Sequence, residues 1–270
     1  MLLAIDIGNS SISVGVFDVS SAKSPELVSS FKISNKSYSS DEYALLIKDF
    51  ISRSENLALS EIRCSVISSV VPELTDLLAS SASQICSSSP MIIDQGIRTG
   101  FGIKIKNPEQ LGADIVCNVA AALHYAEPPF AVLDMGTASS LTVVNTNVEV
   151  IGTIIIPGLK VSMTALSDSA ALLNPVSLEF NEELIGRDTQ SAIRSGVING
   201  SVYMIDGFIR NIREKILADT PGKKLGLVAT GGLAERIISH TRNKFDYYEN
   251  LTLYGLAYLY IKNRVCTKQN

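Results

Sequence analysis

The 270-residue chain has few cysteines, no long apolar run and little excess of charge, and each shortage narrows what it can be. Cys64, Cys86, Cys117 and Cys266 are scattered and form no CxxC pair, which argues against a disulfide framework or a zinc site and for a reducing compartment. The apolar stretches are broken every few residues by Gly, Ser or a charge, too soon to span a bilayer. Near the start, Asp6 interrupts what would be a signal peptide's apolar region and no basic leader precedes it, so the sequence points to a cytoplasmic protein with no membrane association. The 23 Lys and Arg against 27 Asp and Glu give a net charge of −4 and no basic face for a nucleic-acid partner. His124 and His240 stand alone, with no Cys, Asp or Glu at metal-ligand spacing. Neither GxxxxGK[ST] nor GxGxxG occurs, so the common nucleotide loops are missing.

What is present is an ordinary globular composition, 46% hydrophobic and 19% charged, and a pattern that occurs twice. Leu2 to Phe17 and Ala131 to Val144 each read as an apolar strand, Asp-x-Gly, a small polar stretch and an alternating strand. Asp6 and Asp134 lie about half a chain apart, which suggests two related lobes rather than a short-period solenoid. Two unrelated β-hairpins in an α/β protein are the alternative.

Between the repeats the pattern predicts a helix over Asp41–Arg53, a buried strand over Cys64–Val71, a helix over Pro72–Ser83 and a helix over Asn107–Tyr125 capped by Asn107. Further on it predicts a long helix from Asp188 to Ala218, capped by Asp188 or Thr189. Gly196 and Gly200 on that helix suit either a packed core or a contact between two copies. A strand over Leu225–Ala229 running into Thr230-Gly231-Gly232, and a helix over Leu251–Lys262, complete the chain. The chain is expected to divide into lobes 1–115 and 116–270.

Such loops suit phosphoryl transfer, which needs backbone amides on phosphates, a divalent ion to offset charge and a base beside the attacking hydroxyl. A Gly8-Asn9-Ser10-Ser11 turn bears no large side chain to block phosphate oxygens from its N–H groups, and Asp6 before it can hold Mg²⁺ directly or through water. Asp134 to Ser140 forms the matching hairpin, and Gly231-Gly232 lies between a strand and a helix start, where a nucleotide can approach backbone.

Seven collinear segments resemble the type III pantothenate kinases of the acetate kinase, sugar kinase, Hsp70 and actin superfamily. They are Asp6-Ile-Gly-Asn-Ser10, Leu111-Gly-Ala-Asp114, Asp134-Met-Gly-Thr137, Ile156-Pro-Gly-Leu159, Gly186-Arg-Asp-Thr189, Ser195-Gly196 and Ala229-Thr-Gly-Gly-Leu-Ala234. The resemblance implies an α/β, two-lobed actin-like (ribonuclease H-like) fold, with duplicated mixed sheets flanked by helices and a cleft between. It implies a homodimeric kinase that phosphorylates the primary hydroxyl of pantothenate with ATP and Mg²⁺, the first step towards coenzyme A. The nucleotide side would comprise Asp6, Gly8, Asn9, Ser10, Ser11, Ser13, Thr137, Gly231 and Gly232. Asp114 would be the general base, Asp6 the magnesium ligand and Asp134 the holder of potassium or ammonium. Ile105, Gly112, Ala113, Asp114, Ile115 and Thr189 would line the acceptor.

Each of these residues also has a structural reading: Asp114 as a solvated helix carboxylate, Asp134 as a turn cap, Thr189 as a helix cap. The chain departs from the family where Ile115 replaces an Arg after the base, Ile105 a Tyr and Ser10 a Thr, and where an Asp past the second hairpin is replaced by Thr142 or is absent. Losing a guanidinium removes a carboxylate partner worth about 1.5–3 kcal/mol. A kinase of the same fold for another small hydroxylated metabolite, or a non-catalytic regulator, therefore stands beside the pantothenate reading.

Overall fold

The computed structural model describes residues 1–21, 24–54, 57–169, 177–178, 183–218, 220 and 222–267, which fall into two compact units. The first comprises 1–102, 106–125 and the chain from 250 onward; the second comprises 103–105 and 126–249.

In the first unit, β1 (Leu2–Ile7), β2 (Ser11–Asp18), β3 (Glu26–Ser34), β4 (Cys64–Ser69) and β5 (Met91–Ile92) form one sheet in the order β3-β2-β1-β4-β5. The first three strands are a meander, and β4 and β5 run parallel to β1. A central strand is covered on both faces, and β1 shows it: Leu3, Ile5 and Ile7 pack with Tyr43, Ile47 and Leu78 in one cluster, whereas Leu2 and Ala4 join Val66, Cys117 and Leu256 in another. The first cluster draws on α1 (Ser40–Arg53) and α2 (Pro72–Cys86). α1 starts at a capping box, in which the Glu42 amide donates to Ser39 Oγ (3.3 Å) and the Ser39 amide to Glu42 Oε2 (2.8 Å). Pro72 opens α2, whose missing N–H costs nothing in a first turn.

The opposite face of the sheet is covered by α3 (Ala113–Ala122) and α7 (Leu251–Thr267). Here two expectations are corrected. Asn107 precedes only a 3₁₀ turn over Pro108–Gln110, without a side-chain cap, and the helix proper begins after Gly112. The division expected near residue 115 falls inside α3, all of which belongs to the first unit, as does the last helix of the chain. Burial explains this: Val116, Cys117 and Ala120 of α3 and Leu253, Leu256 and Ala257 of α7 share one cluster with β1 and β4, and the Thr252 hydroxyl donates to Asn118 Oδ1 at 2.8 Å.

The second unit has a sheet ordered β11-β10-β7-β8-β9-β6, built from β6 (Gly102–Ile103), β7 (Phe130–Met135), β8 (Ala138–Val144), β9 (Glu149–Pro157), β10 (Gly226–Thr230) and β11 (Asp246–Tyr247). Apart from the added β6, the order β9-β8-β7-β10-β11 repeats that of the first sheet, with the same antiparallel and parallel pairings. The twin hairpins are therefore the centres of two equivalent sheets, not unrelated turns. α4 (Leu159–Ser169), α5 (Thr189–Leu217) and α6 (Ala234–Ile238) accompany this sheet, and α5 buries Val197, Ile198, Val202, Ile205 and Ile209 with Leu133 and Leu227. Asp188 is its N-cap, accepting from the Ser191 amide at 2.8 Å, a bond that holds the carboxyl below its usual range.

If α7 is part of the first unit's core, Leu256→Ala, at a fully buried position, should cost about 2–5 kcal/mol in chemical denaturation. A loss below about 0.5 kcal/mol, the range of surface substitutions, would separate α7 from that core.

Candidate active site

Strand alternation decides where the carboxylate of the first hairpin points. Leu2 and Ala4 face α3 and α7, so Asp6, two residues on, faces them too. On the neighbouring strand Val66 has the same orientation, and so does Ser68, the register partner of Asp6. Ser68 Oγ donates to Asp6 Oδ1 at 2.5 Å, within the range of a charge-assisted O–H···O⁻ bond. After Asp6 the chain turns tightly, with the Gly8 amide donating to the Ser11 carbonyl at 3.0 Å and Ser13 returning opposite Asp6. Asn35 clasps this turn from the end of β3: its Nδ2 donates to the carbonyls of Gly8 (3.3 Å) and Asn9 (3.2 Å), and its amide to that of Ser10 (3.2 Å).

Asp114 lies in the first turn of α3, half-buried, and its Oδ1 accepts from the Ile115 amide at 2.8 Å. Burial raises its pKa above 3.8, and backbone hydrogen bonds from Ile115 and its own amide only partly offset this. A Cβ at Gly112 would come too close to Asp114 Oδ1, so a larger residue there would force the carboxylate to move. One turn further along α3, the fully buried Cys117 thiol has its pKa pushed well up, first by burial and then by the charges of Asp6 and Asp114, with the Ser68 hydroxyl opposing. Cys117 packs with Ala4 and Val66, whose face Asp6 and Ser68 continue, and Asp114 lies one turn before it on α3, so the three groups border one neighbourhood of the first unit.

The second unit repeats the hairpin. Asp134 pairs in register with Ser140 as Asp6 does with Ser13, and with Thr230 as Asp6 does with Ser68. Gly136 and Thr137 form the exposed turn, and the Gly158 amide donates to the Thr137 carbonyl at 3.1 Å. Gly231 has φ +99° and lies so close to the Met135 backbone that a Cβ would come within 2.6 Å of it, so Asp134-Met-Gly and Thr230-Gly-Gly are one packed group. Gly232 beside it is exposed. Thr189 is exposed at the start of α5, with the capping done by Asp188. Ile115 is half-buried in the first unit; Ile105, also half-buried, belongs to the second.

Sequence reasoning missed Ser68 and Asn35. The signal for Ser68 was its place at the end of a strand that would pair with β1; none marked Asn35. Among the described residues no group of three or more His, Cys, Asp or Glu could hold a metal, so an ion at Asp6 would take its other ligands from phosphate and water, as hard Mg²⁺ commonly does. His124 stacks on the Tyr258 ring at 3.6 Å.

The family model for type III pantothenate kinase matches residues 2–211, and a type III pantothenate kinase from Dictyoglomus turgidum is 36% identical over 267 residues, 97% of this chain and 100% of that one. The chain belongs to the type III pantothenate kinase family. Among solved structures it is similar to a candidate Baf family transcriptional activator from Campylobacter jejuni (TM-score 0.56, 19% identity, 97% of this chain and 99% of that). It is also similar to a candidate N-acetylmannosamine kinase from Listeria monocytogenes (TM-score 0.50, 13% identity, 97% and 99%). At such identities these show the fold, which is the duplicated actin-like α/β architecture expected for this family.

The raised pKa of Asp114 has a consequence for stability. Ionising a carboxyl whose folded pKa exceeds its unfolded value costs stability as pH rises from about 4 through the folded pKa, and the cost is constant above it. Asp114→Asn should therefore melt above the wild type at pH 7, with the gap closing below about pH 4. A gap that stays constant across this range would mean the carboxyl is not desolvated.

Proposed function

We propose that the chain transfers the γ-phosphoryl group of ATP to the primary hydroxyl of pantothenate, the first step of coenzyme A biosynthesis. Family membership supplies the substrate, and the shared neighbourhood of Asp6 and Asp114 carries the assignment of roles. Asp6 would hold Mg²⁺, which offsets phosphate charge when bound. The turn residues Gly8, Asn9, Ser10 and Ser11, with Ser13 behind them, would meet the phosphates through small side chains and backbone amides. Thr137, Gly231 and Gly232 are assigned to the nucleotide because their hairpin is the duplicate of the first.

Asp114 would take the proton of the acceptor hydroxyl as its oxygen bonds to the γ-phosphorus and the bond to the β-phosphate oxygen breaks, releasing ADP. A carboxylate with a raised pKa is a stronger base than an exposed one, which suits that role. Gly112 and Ala113 would keep the acceptor close to it. Asp134, half-buried beneath its turn, is assigned a potassium or ammonium ion, and Thr189 a contact to the acceptor. Homodimerisation is assigned to α5, whose outward side exposes Tyr203 (55%) and Met204 (38%) beside Gly196 and Gly200. Among the described residues no helix is long and apolar enough to cross a membrane, and the proposed setting is the cytoplasm.

One observation favours a second reading. Ile115 follows the proposed base directly, and an apolar side chain there offers no donor to a carboxylate acceptor. On that reading the acceptor is a different small hydroxylated metabolite.

An ADP-release assay separates the two. Turnover should rise on adding pantothenate, Asp114→Asn should lower kcat by about 10²–10⁴-fold, and Gly112→Ala should impair it by displacing the carboxylate. Folded protein with no response to pantothenate would defeat the first reading. Gain of pantothenate turnover in Ile115→Arg would support the second. Absence of any thermal stabilisation by ATP with Mg²⁺ would move the protein to a non-catalytic class.

A further inference from the structure

The strand β4 ends on two serines with different duties. Ser69 serves its own turn: its hydroxyl donates to the Val71 carbonyl (3.1 Å) and accepts from the Val71 amide (3.1 Å) and from Thr75 Oγ1 (2.8 Å), at the start of α2. Ser68, fully buried, directs its proton to a carboxylate 62 residues away in sequence. A hydroxyl has one proton, so a serine that donates to Asp6 forgoes the backbone carbonyls that buried hydroxyls usually find.

The duplicated sheet supplies an internal comparison. Thr230 stands to Asp134 in register as Ser68 stands to Asp6, and it is equally buried at 2% exposure, yet its hydroxyl is directed at the Glu249 carbonyl, 3.5 Å away. A hydroxyl at this place in the fold need not be given to the aspartate. In the first unit it is, over a short bond, and the adjacent group is the Cys117 thiol, which cannot replace a hydroxyl as a strong donor.

We propose that Ser68 is a positioning residue for Asp6: by holding Oδ1 it fixes the rotation of the carboxyl and thereby sets how Asp6 meets the cation carried by the nucleotide. This rests on Asp6 acting at the metal–nucleotide site. The donor set fits such an ion, since a single oriented carboxylate with phosphate and water is an ordinary Mg²⁺ environment.

The test compares Ser68→Ala, Ser68→Thr and Asp6→Asn in the full-length protein. Binding of ADP is measured by calorimetry with and without Mn²⁺, and bound Mn²⁺ by its electron paramagnetic resonance signal. For Ser68→Ala, Mn²⁺·ADP binding should weaken about tenfold or more, the scale of one hydrogen bond to a charged group, while metal-free ADP binding changes less than about twofold. Ser68→Thr, which keeps the hydroxyl, should recover most of the loss. Equal weakening with and without metal would mean that Ser68 is merely structural, and this ratio decides the matter even where Ser68→Ala melts lower. Wild-type Mn²⁺·ADP binding in Ser68→Ala overturns the positioning role. Should Asp6→Asn also bind Mn²⁺·ADP like the wild type, the assignment of Asp6 itself has failed, and that failure is distinct from the other.

Discussion

A carboxylate at the end of a strand buried on both faces is the constraint around which the first unit is arranged. β1 carries Leu2, Leu3, Ala4, Ile5 and Ile7 without solvent exposure, and its single charge, Asp6, is half-buried at the end of the strand, where a nearby donor partly replaces water. Parallel pairing with β4 provides one, because register places a hydroxyl opposite the carboxylate and alternation turns both to the same face. That face is completed by α3 and α7, and α3 brings Asp114. The apolar packing that stabilises the unit thus also determines which polar groups meet.

The second carboxylate follows a different logic. Asp114 sits where a helix start offers amides, yet burial still raises its pKa. Gly112 leaves room for the Asp114 side chain at that position. A carboxylate that is disfavoured when ionised is the stronger base, which is what the role proposed for Asp114 asks of it.

Much of this was legible in the sequence because it is local. Asp-x-Gly followed by small polar residues marked both hairpins, Pro72 and Asp188 marked helix starts, and the two hairpins half a chain apart marked the duplication. Less local features were not legible. Asn107-Pro108 looks like a helix start but yields only a 3₁₀ turn, since Leu111-Gly112 interposes an extended step before α3. The return of α7 to the first unit depends on Leu253, Leu256 and Ala257 meeting side chains more than a hundred residues earlier, and nothing in their periodicity names the partner. Ser68 was hidden for the same reason: one serine among several at a strand end has no distinguishing neighbour until the register of β1 and β4 is known.

The duplication places the same motif in two different side-chain settings. Asp6 and Asp134 occupy matching places in matching sheets, and each faces a hydroxyl residue on the adjacent parallel strand. The difference lies in where that hydroxyl is directed: to the carboxylate in the first unit, to the Glu249 carbonyl in the second. The two aspartates therefore differ in their polar surroundings although their strands and registers match. A change of one side-chain hydrogen bond thus distinguishes two places that the sheet topology makes equivalent.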